Sequence, residues 1–275
     1  MFKPILHVPE PIKAHLQGDI FDACLALQGQ AFRDVPGRKT QQIALGDKSY
    51  FIKQHFGVGW GEIFKNLATF KMPIIGAMTE VNAIKKLDEI GIKTTPLVAY
   101  GQRGCNPATL QSFVITEDLG DILTLEQIFE AGLQASKHAP SRPALLKALG
   151  ELAAKFHGAG QNKALAHRDF YLCHFVCKKA EFEAGNLHLY LIDLHRVLQN
   201  QNSKGSSVMK DIAGLIFSMQ QIAMSAEDIA VFKSHYLPQS VNFWAQTTAR
   251  AGKLLAKFNS EKFQTRLAKE KSAIR

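Results

Sequence analysis

The sequence lacks the features that would lodge it in a membrane or staple it with disulfides. No stretch of its 275 residues approaches the about 18 consecutive apolar residues of a membrane-crossing helix. Met1 to Glu10 has prolines at positions 4 and 9 and no apolar h-region, so a secretory signal peptide is not expected. Four cysteines are too few for a disulfide framework, and the expectation is a reduced, intracellular protein. Cys24 and Cys105 stand alone. Cys173 and Cys177 are four apart, with His174 between them, which is not the C-x-x-C or H-E-x-x-H spacing of a zinc site. Internal repeats and long low-complexity tracts are absent. Apolar residues at 46% and charged residues at 21% are ordinary globular usage, which argues against a disordered chain, a collagen and a coiled coil. There is no zinc finger, no RNP-type aromatic motif and no recognisable helix-turn-helix, so nucleic acid is not an expected partner.

Acidic residues are comparatively few. With 33 Lys/Arg against 24 Asp/Glu the formal charge is +9. Between Arg250 and Arg275 lie eight Lys/Arg and two acids, so +6 of that charge sits in the last 26 residues. One reading is a solvated C-terminal helix; the other is attraction to something anionic: a nucleotide, nucleic acid, acidic lipid headgroups or an acidic carrier protein.

Length allows one large domain or two smaller ones. Gln41 to Leu45 and Ser49 to Lys53 are β-prone runs joined by Gly46-Asp47-Lys48, a hairpin signal. On the second run Tyr50 and Ile52 face one way, and Phe51 and Lys53 the other. Lys53 either snorkels beside Phe51 or points into a cleft. Thr79 to Ile90 predicts a helix ended by Gly91, with Ala83, Ile84 and Leu87 as its apolar stripe. Glu80 lies on that stripe, so it either needs a partner or only favours the helix N-terminus. Trp60, Phe64, Leu67 and Phe70 recur at helical spacing beside Lys65 and Lys71. Packing against the small lobe is the expectation, and contact with a lipid acceptor or the membrane surface the alternative. Pro96 to Tyr100 and Ser112 to Thr116 read as strands. A helix opens at Ser141 and Pro143 and closes near Gly158 to Gly160. Phe175-Val176 and Leu187 to Ile192 read as strands with a polar connection between them. Met209 to Met219 and Ala226 to Leu237 read as helices, the second behind a Ser225–Asp228 capping box. Strands early and helices late predict an α+β fold with two lobes and a boundary near Leu119.

The stretch His167-Arg168-Asp169 to His174 follows a helix, and about two dozen residues later Asp193 ends the apolar run Leu189 to Ile192. Together with a strand lysine and a helix glutamate, these residue types suit phosphoryl transfer, where catalysis is mostly positioning and charge neutralisation. Lys53 can hold phosphates and Glu80 can fix its direction. Asp193 can bind magnesium, which prefers oxygen ligands, and Asp169 can accept the proton of an attacking hydroxyl.

With Tyr50-Phe51-Ile52-Lys53, Gly57 to Ile63, Thr116-Glu117-Asp118-Leu119, His167 to Phe175, Ile192-Asp193-Leu194-His195-Arg196 and Lys210-Asp211-Ile212-Ala213, the chain resembles the protein-kinase-like superfamily. More closely, it resembles the lipopolysaccharide core heptose(I) kinase family of Gram-negative bacteria. The resemblance spans nearly the whole chain, and the Arg-Asp-x-Tyr-x-Cys-His-Phe and Ile-Asp-Leu-His-Arg patterns are specific to that family. It implies a bilobal protein-kinase-like fold: a β-rich N-terminal lobe over residues 1–118 and a mainly helical C-terminal lobe over 119–275. It implies ATP-dependent phosphorylation of the first heptose of the inner core, at the 4-hydroxyl, with Mg2+, at the cytoplasmic face of the inner membrane. An acyl carrier protein is a further partner it suggests.

Residue by residue, the resemblance makes Lys53 the phosphate-binding lysine and Glu80 its partner, and Glu117 to Leu119 the hinge that meets adenine. Asp169 becomes the catalytic base and Asp193 the main magnesium ligand. His167 and Asp211 become structural support for the catalytic loop. The sequence also departs from protein kinases. His174 occupies the place of a metal-binding Asn, although histidine is a poorer magnesium ligand than an oxygen donor. The metal-binding triplet is Asp-Leu-His rather than Asp-Phe-Gly. No Ala-Pro-Glu is evident, which argues against a protein substrate. The best glycine-rich candidate, Gly37-Arg38-Lys39-Thr40, has a single glycine, leaving Arg38 and backbone N–H groups to hold phosphate. Kinase activity on another sugar or aminoglycoside-type alcohol, or a non-catalytic scaffold, are the rival readings.

Overall fold

A computed structural model describes residues 4–68, 74–131, 138–158 and 163–272. It divides into two compact units: residues up to Gly120 together with Asp193–Val197, and Asp121–Ile192 together with Leu198 onward.

The first unit is built on an antiparallel sheet of six strands, β1 (Ile5–His7), β2 (Gln30–Val35), β3 (Arg38–Leu45), β4 (Lys48–His55), β5 (Leu97–Arg103) and β6 (Gln111–Glu117), in the order β1-β5-β6-β4-β3-β2. The expected hairpin is β3–β4. Leu45 pairs with Lys48 across Gly46-Asp47, and Gly46 supplies the positive φ of 63° that a two-residue turn demands. Both strands run farther than their β-prone cores, reaching Arg38 and His55. Among the described residues four helices accompany the sheet: α1 (Glu10–Lys13), α2 (Ile20–Ala26), α3 (Gly59–Ala68) and α4 (Met78–Glu89). Asp19 caps α2 by accepting from the Asp22 amide at 3.0 Å. Phe21, Cys24 and Leu25 of that helix pack with Ile43, Tyr50, Ile52, Phe113 and Ile115 of the strands into one core. Each large side chain fully buried there contributes about 1.5–3 kcal/mol.

The stretch expected to pack through Trp60 and Phe64 does not do so. Among the described side chains of α3 only Ile63 is buried, while Trp60 is 51% and Phe64 62% exposed. Being four residues apart, Trp60 and Phe64 lie along one side of the helix, and their rings stack at 5.8 Å. The side chains of Lys65 and Leu67, and all of Phe70 and Lys71, lie outside the described residues.

The second unit holds β7 (Ile122–Thr124), β8 (Ala164–Ala166), β9 (Phe175–Lys178), β10 (Tyr190–Leu191) and β11 (Leu198–Gln201), forming a three-stranded sheet β10-β9-β7 and a two-stranded ribbon β11-β8. The run expected as a strand from Leu187 shrinks to β10. The connection before it contains a short helix, α7 (Lys179–Glu183), which follows α5 (Leu125–Ala131) and α6 (Arg142–His157). After β11 come α8 (Ser206–Gln221), α9 (Ala226–His235), α10 (Val241–Phe258) and α11 (Glu261–Ser272). The capping box of α9 forms as the sequence implies: Ser225 Oγ accepts from the Asp228 amide at 3.1 Å and Asp228 Oδ2 from the Ser225 amide at 3.0 Å. Asp228 also takes a two-pronged bond from Arg142 at 2.9 and 2.8 Å, which ties α9 to the first turn of α6. Phe156 stacks on Phe170 with centroids 5.6 Å apart, and Phe170 meets Phe175 edge-on at 4.9 Å, so an aromatic core lies directly under the loop after β8. Gly158 ends α6, and Gly160 lies outside the described residues. No described helix is long and apolar enough to cross a membrane.

Candidate functional site

Alternation along β4 puts Phe51, Lys53 and His55 on one sheet face. Lys53 Nζ donates to Glu80 Oε1 at 2.7 Å and stands 3.5 Å from Asp193 Oδ1. Glu80 belongs to the first turn of α4, buried among Val81, Ala83, Ile84 and Leu87. A carboxylate placed there is tolerable because the lysine neutralises it, so it does more than face the helix N-terminus. Its second oxygen, Oε2, is buried with no hydrogen-bond partner among the described residues.

Asp193 adopts φ 62°, a left-handed backbone uncommon for a residue other than glycine. Strain of that kind costs of order 1–3 kcal/mol and collects at functional sites. It turns the chain into a short 3-10 segment, Leu194–Arg196, and brings His195 back so that its Nδ1 donates to Asp193 Oδ1 at 2.6 Å. Asp193 keeps 34% side-chain exposure, whereas His195 is buried.

Arg38, the first residue of β3, is buried and lies in register opposite His55. Burial and Arg33 pull the Arg38 guanidinium below its ordinary pKa, against the pull of Glu80 and Asp193. Burial, then the charges of Arg38, Lys53 and His195, push His55 down to about 3, so it is neutral at physiological pH. Arg38, Lys53, His55, Glu80, Asp193 and His195 thus form one electrostatic neighbourhood within the first unit.

Glu117 pairs with Tyr50, three residues along β4 from Lys53, and its amide donates to the Pro96 carbonyl at 2.9 Å. The segment through Leu119 is fixed by Asp118, whose carboxylate accepts from Gln42 at 2.6 Å, Ser49 at 2.8 Å and the Gly120 amide at 2.8 Å. Burial alone would raise the Asp118 pKa; those three bonds hold it below the usual carboxylate range.

The second unit contains His167, Asp169, His174 and Asp211. Asp211 is buried in α8 and braces the loop from below. Its Oδ2 accepts from the His167 amide at 2.5 Å and its Oδ1 from the Arg168 amide at 2.8 Å. Arg168 needs that support, because it holds φ at 73°. Seven residues on, on the same helix face, Ser218 Oγ accepts from the Leu172 amide at 3.1 Å. His167 Nε2 donates to the carbonyl of Ile192 at 3.0 Å. His174 Nδ1 donates to the backbone carbonyl of Asp169 at 2.6 Å, which makes its Nε2 the nitrogen with a lone pair in the neutral ring. The His174 ring therefore fixes the backbone of Asp169.

Four participants escaped the sequence reading as site residues. His157 Nε2 lies 3.3 Å from Asp211 Oδ2 and its Nδ1 2.9 Å from the Tyr236 hydroxyl, extending the brace to α6 and the end of α9. Burial and Asp211 push the Tyr236 phenol up. His55 and His195 complete the first unit's cluster. His195 stands in the noted Asp-Leu-His triplet, and His55 is two residues past Lys53 on the same strand face. His157 and Tyr236 carried no local signal, being joined only by folding. Among the described residues no three His, Cys, Asp or Glu side chains converge as a metal cage.

Residues 22–236 match the family model described as "Lipopolysaccharide kinase (Kdo/WaaP) family". The chain is similar to "Lipopolysaccharide core heptose(I) kinase WaaP" of Pseudomonas aeruginosa, 39% identical over 233 residues that cover 84% of this chain and 85% of that relative. It is 34% identical over 260 residues to the protein of the same name from Escherichia coli, covering 91% of this chain and 97% of the other. Among solved structures it resembles "WaaP in complex with acyl carrier protein" with a TM-score of 0.71 and 31% identity, covering 91% of this chain and 99% of that one.

Proposed function

The chain belongs to the lipopolysaccharide kinase (Kdo/WaaP) family, and from that premise we propose that it is an ATP-dependent phosphotransferase acting on the first heptose of the lipopolysaccharide inner core, at the 4-hydroxyl. The observation that carries the chemistry is the Lys53–Glu80 pair with Asp193 beside it, 2.7 and 3.5 Å from one ammonium. On this reading the two units are the lobes of a protein-kinase-like fold, residues 1–118 and 119–275. Backbone groups of Glu117 to Leu119 receive adenine, and the rigid Asp118 network keeps them in place. Lys53, aimed by Glu80, holds the inner phosphates. Asp169 takes the proton of the attacking sugar hydroxyl, in a loop whose amides Asp211 and Ser218 secure and whose carbonyl His174 fixes.

Mg2+ binds through one or two carboxylates plus substrate phosphates and water, so a three-residue cage is not required. The partly exposed carboxylate of Asp193 is a hard oxygen donor of the right kind, and His174 Nε2 is a weaker second candidate. When bound, the ion supplies neutralisation of phosphate charge.

The acceptor of such an enzyme is a lipid, and the proposed location is the cytoplasmic face of the inner membrane. Support comes from α10 and α11, where Arg250, Lys253, Lys257 and Lys262 are all exposed while Phe243, Thr247 and Ala251 turn inward. An acyl carrier protein is proposed as a partner because the similar solved structure is a complex with one.

The test is transfer of labelled γ-phosphate from ATP to purified heptose-containing core lipopolysaccharide, with mass analysis of the modified sugar. Phosphate on the first heptose is the expected product. Transfer to another sugar or aminoglycoside-type alcohol but not to the core would replace the acceptor assignment.

A further inference from the structure

Arg38 is 7% exposed, yet its Nε has no hydrogen-bond partner among the described residues. A charged group in a protein interior is ordinarily paired and hydrogen-bonded, because leaving it bare is costly. Two more buried polar atoms without partners among the described residues lie in the same neighbourhood. One is His55 Nδ1, directly opposite Arg38 in the β3–β4 register; the other is Glu80 Oε2, on the carboxylate that holds Lys53. Buried atoms left unsatisfied in one place call for a ligand that brings its own polar groups.

The local backbone keeps Arg38 where it is. Gly37, at φ 79°, offers its carbonyl to the Phe56 amide at 2.9 Å. A Cβ at Gly37 would run into the Gly57 carbonyl, so the turn admits only glycine. Arg38 enters β3 from this fixed turn. Its guanidinium feels Glu80 and Asp193, the two acids that flank Lys53.

Direction along the strands decides which part of a nucleotide meets it. Glu117 pairs with Tyr50, Thr40 with Lys53 and Arg38 with His55. At about 3.4 Å per residue, Lys53 lies about 10 Å from the Glu117 end and Arg38 about 7 Å beyond Lys53. With adenine at the Glu117 end and the inner phosphates at Lys53, the terminal phosphate falls next to Arg38. Resting on the phosphotransferase reading above, we propose that Arg38 is the protein's contact for the transferring γ-phosphoryl group, set beside His55, in place of a glycine-rich backbone cradle. Guanidinium suits this task, since it stays charged at every working pH and matches phosphate oxygens in a two-pronged fork. Neutral His55 adds a polar ring without adding a second charge.

The experiment measures calorimetric affinities for ADP and for a β,γ-imido ATP analogue, with Mg2+, in the wild type, Arg38→Met and Arg38→Lys, together with the melting temperature of each free protein. Arg38→Met is expected to weaken the analogue about 10- to 100-fold, as loss of a charged hydrogen bond does, and ADP less than about 3-fold. Arg38→Lys recovers part of the analogue's affinity. The free Arg38→Met protein melts at or above the wild-type temperature, because an unsatisfied buried charge has gone. Equal losses for ADP and analogue, or no loss for either, overturn the assignment. So does an Arg38→Met protein that melts well below wild type or fails to fold, since the guanidinium would then be structural. A wild type that binds neither nucleotide contradicts the phosphotransferase reading itself, and this proposal with it.

Discussion

Lys53→Met and Glu80→Gln each remove one side of the same ion pair, and their costs should be unequal. With Glu80 neutralised, the ammonium keeps Asp193 Oδ1 at 3.5 Å, and the lysine side chain is 17% exposed to water. The carboxylate has no such reserve. Its side chain is 5% exposed and Oε2 already lacks a partner among the described residues. Breaking a buried pair so that one charge is stranded costs about 3–5 kcal/mol. For a chain of this size that lowers the melting temperature by about 2–4 °C per kcal/mol, so Lys53→Met should fall by about 6–20 °C. Glu80→Gln keeps the shape and an acceptor oxygen, and should cost about 1 kcal/mol, or about 2–4 °C. The double variant strands nothing and should melt above Lys53→Met alone, a departure from additivity expected of residues in contact. Calorimetric melts of the four nucleotide-free proteins check this. A Glu80→Gln protein as unstable as Lys53→Met, or a double variant at the additive value, would refute the reasoning.

Three further outcomes follow from the same geometry. Asp211→Ala removes two charge-assisted bonds to the His167 and Arg168 amides, each worth about 1.5–3 kcal/mol, so thermal melts should show about 3–6 kcal/mol lost. Its kcat should drop more than its KM for ATP; an unchanged kcat would mean the brace does not serve the loop. Burial, and then the charges of Arg38, Lys53 and His195, push the folded pKa of His55 down to about 3 from the ordinary 6.5. Its neutral form therefore stabilises the fold fully above about pH 6.5, and that contribution drains away as pH falls toward 3, by up to about 1.4 kcal/mol per unit. His55→Leu lacks this loss, so melts from pH 7.5 to 4 should show the variant gaining on wild type; a constant gap contradicts it. Reversing Lys253, Lys257 and Lys262 to Glu should reduce co-sedimentation with phosphatidylglycerol vesicles at least about 10-fold, at about 1 kcal/mol per basic residue, and leave phosphatidylcholine vesicles unaffected. Undiminished binding to the anionic vesicles removes α10 and α11 as the membrane contact.

Much of the local architecture was legible because its causes are local. Gly46-Asp47 sets the hairpin, Ser225 and Asp228 cap α9, and Ser141 with Pro143 opens α6. The Lys53–Glu80 meeting was inferable from a lysine on a strand face and an acid on an apolar helix stripe, since burial forces each to find a partner. The bent backbones at Arg168 and Asp193 were not legible, because neither is a glycine and tertiary contacts impose both. Trp60 and Phe64 misled for the opposite reason: spacing locates a helix face but does not say whether anything covers it. His157 reaches Asp211 from 54 residues away and Tyr236 reaches His157 from 79, distances no local pattern spans. Arg38 was visible as a weak phosphate loop; only its burial without a partner makes it a sharper candidate.

The most direct measurement of the central claim is single-turnover transfer of γ-phosphate to core lipopolysaccharide by wild type, Asp169→Ala and Asp193→Ala, with circular dichroism confirming each fold. Phosphotransfer built on these carboxylates should fall at least about 1000-fold in each variant while the spectra remain unchanged. Near-wild-type transfer by both folded variants would contradict the assignment and put the reaction elsewhere in the molecule.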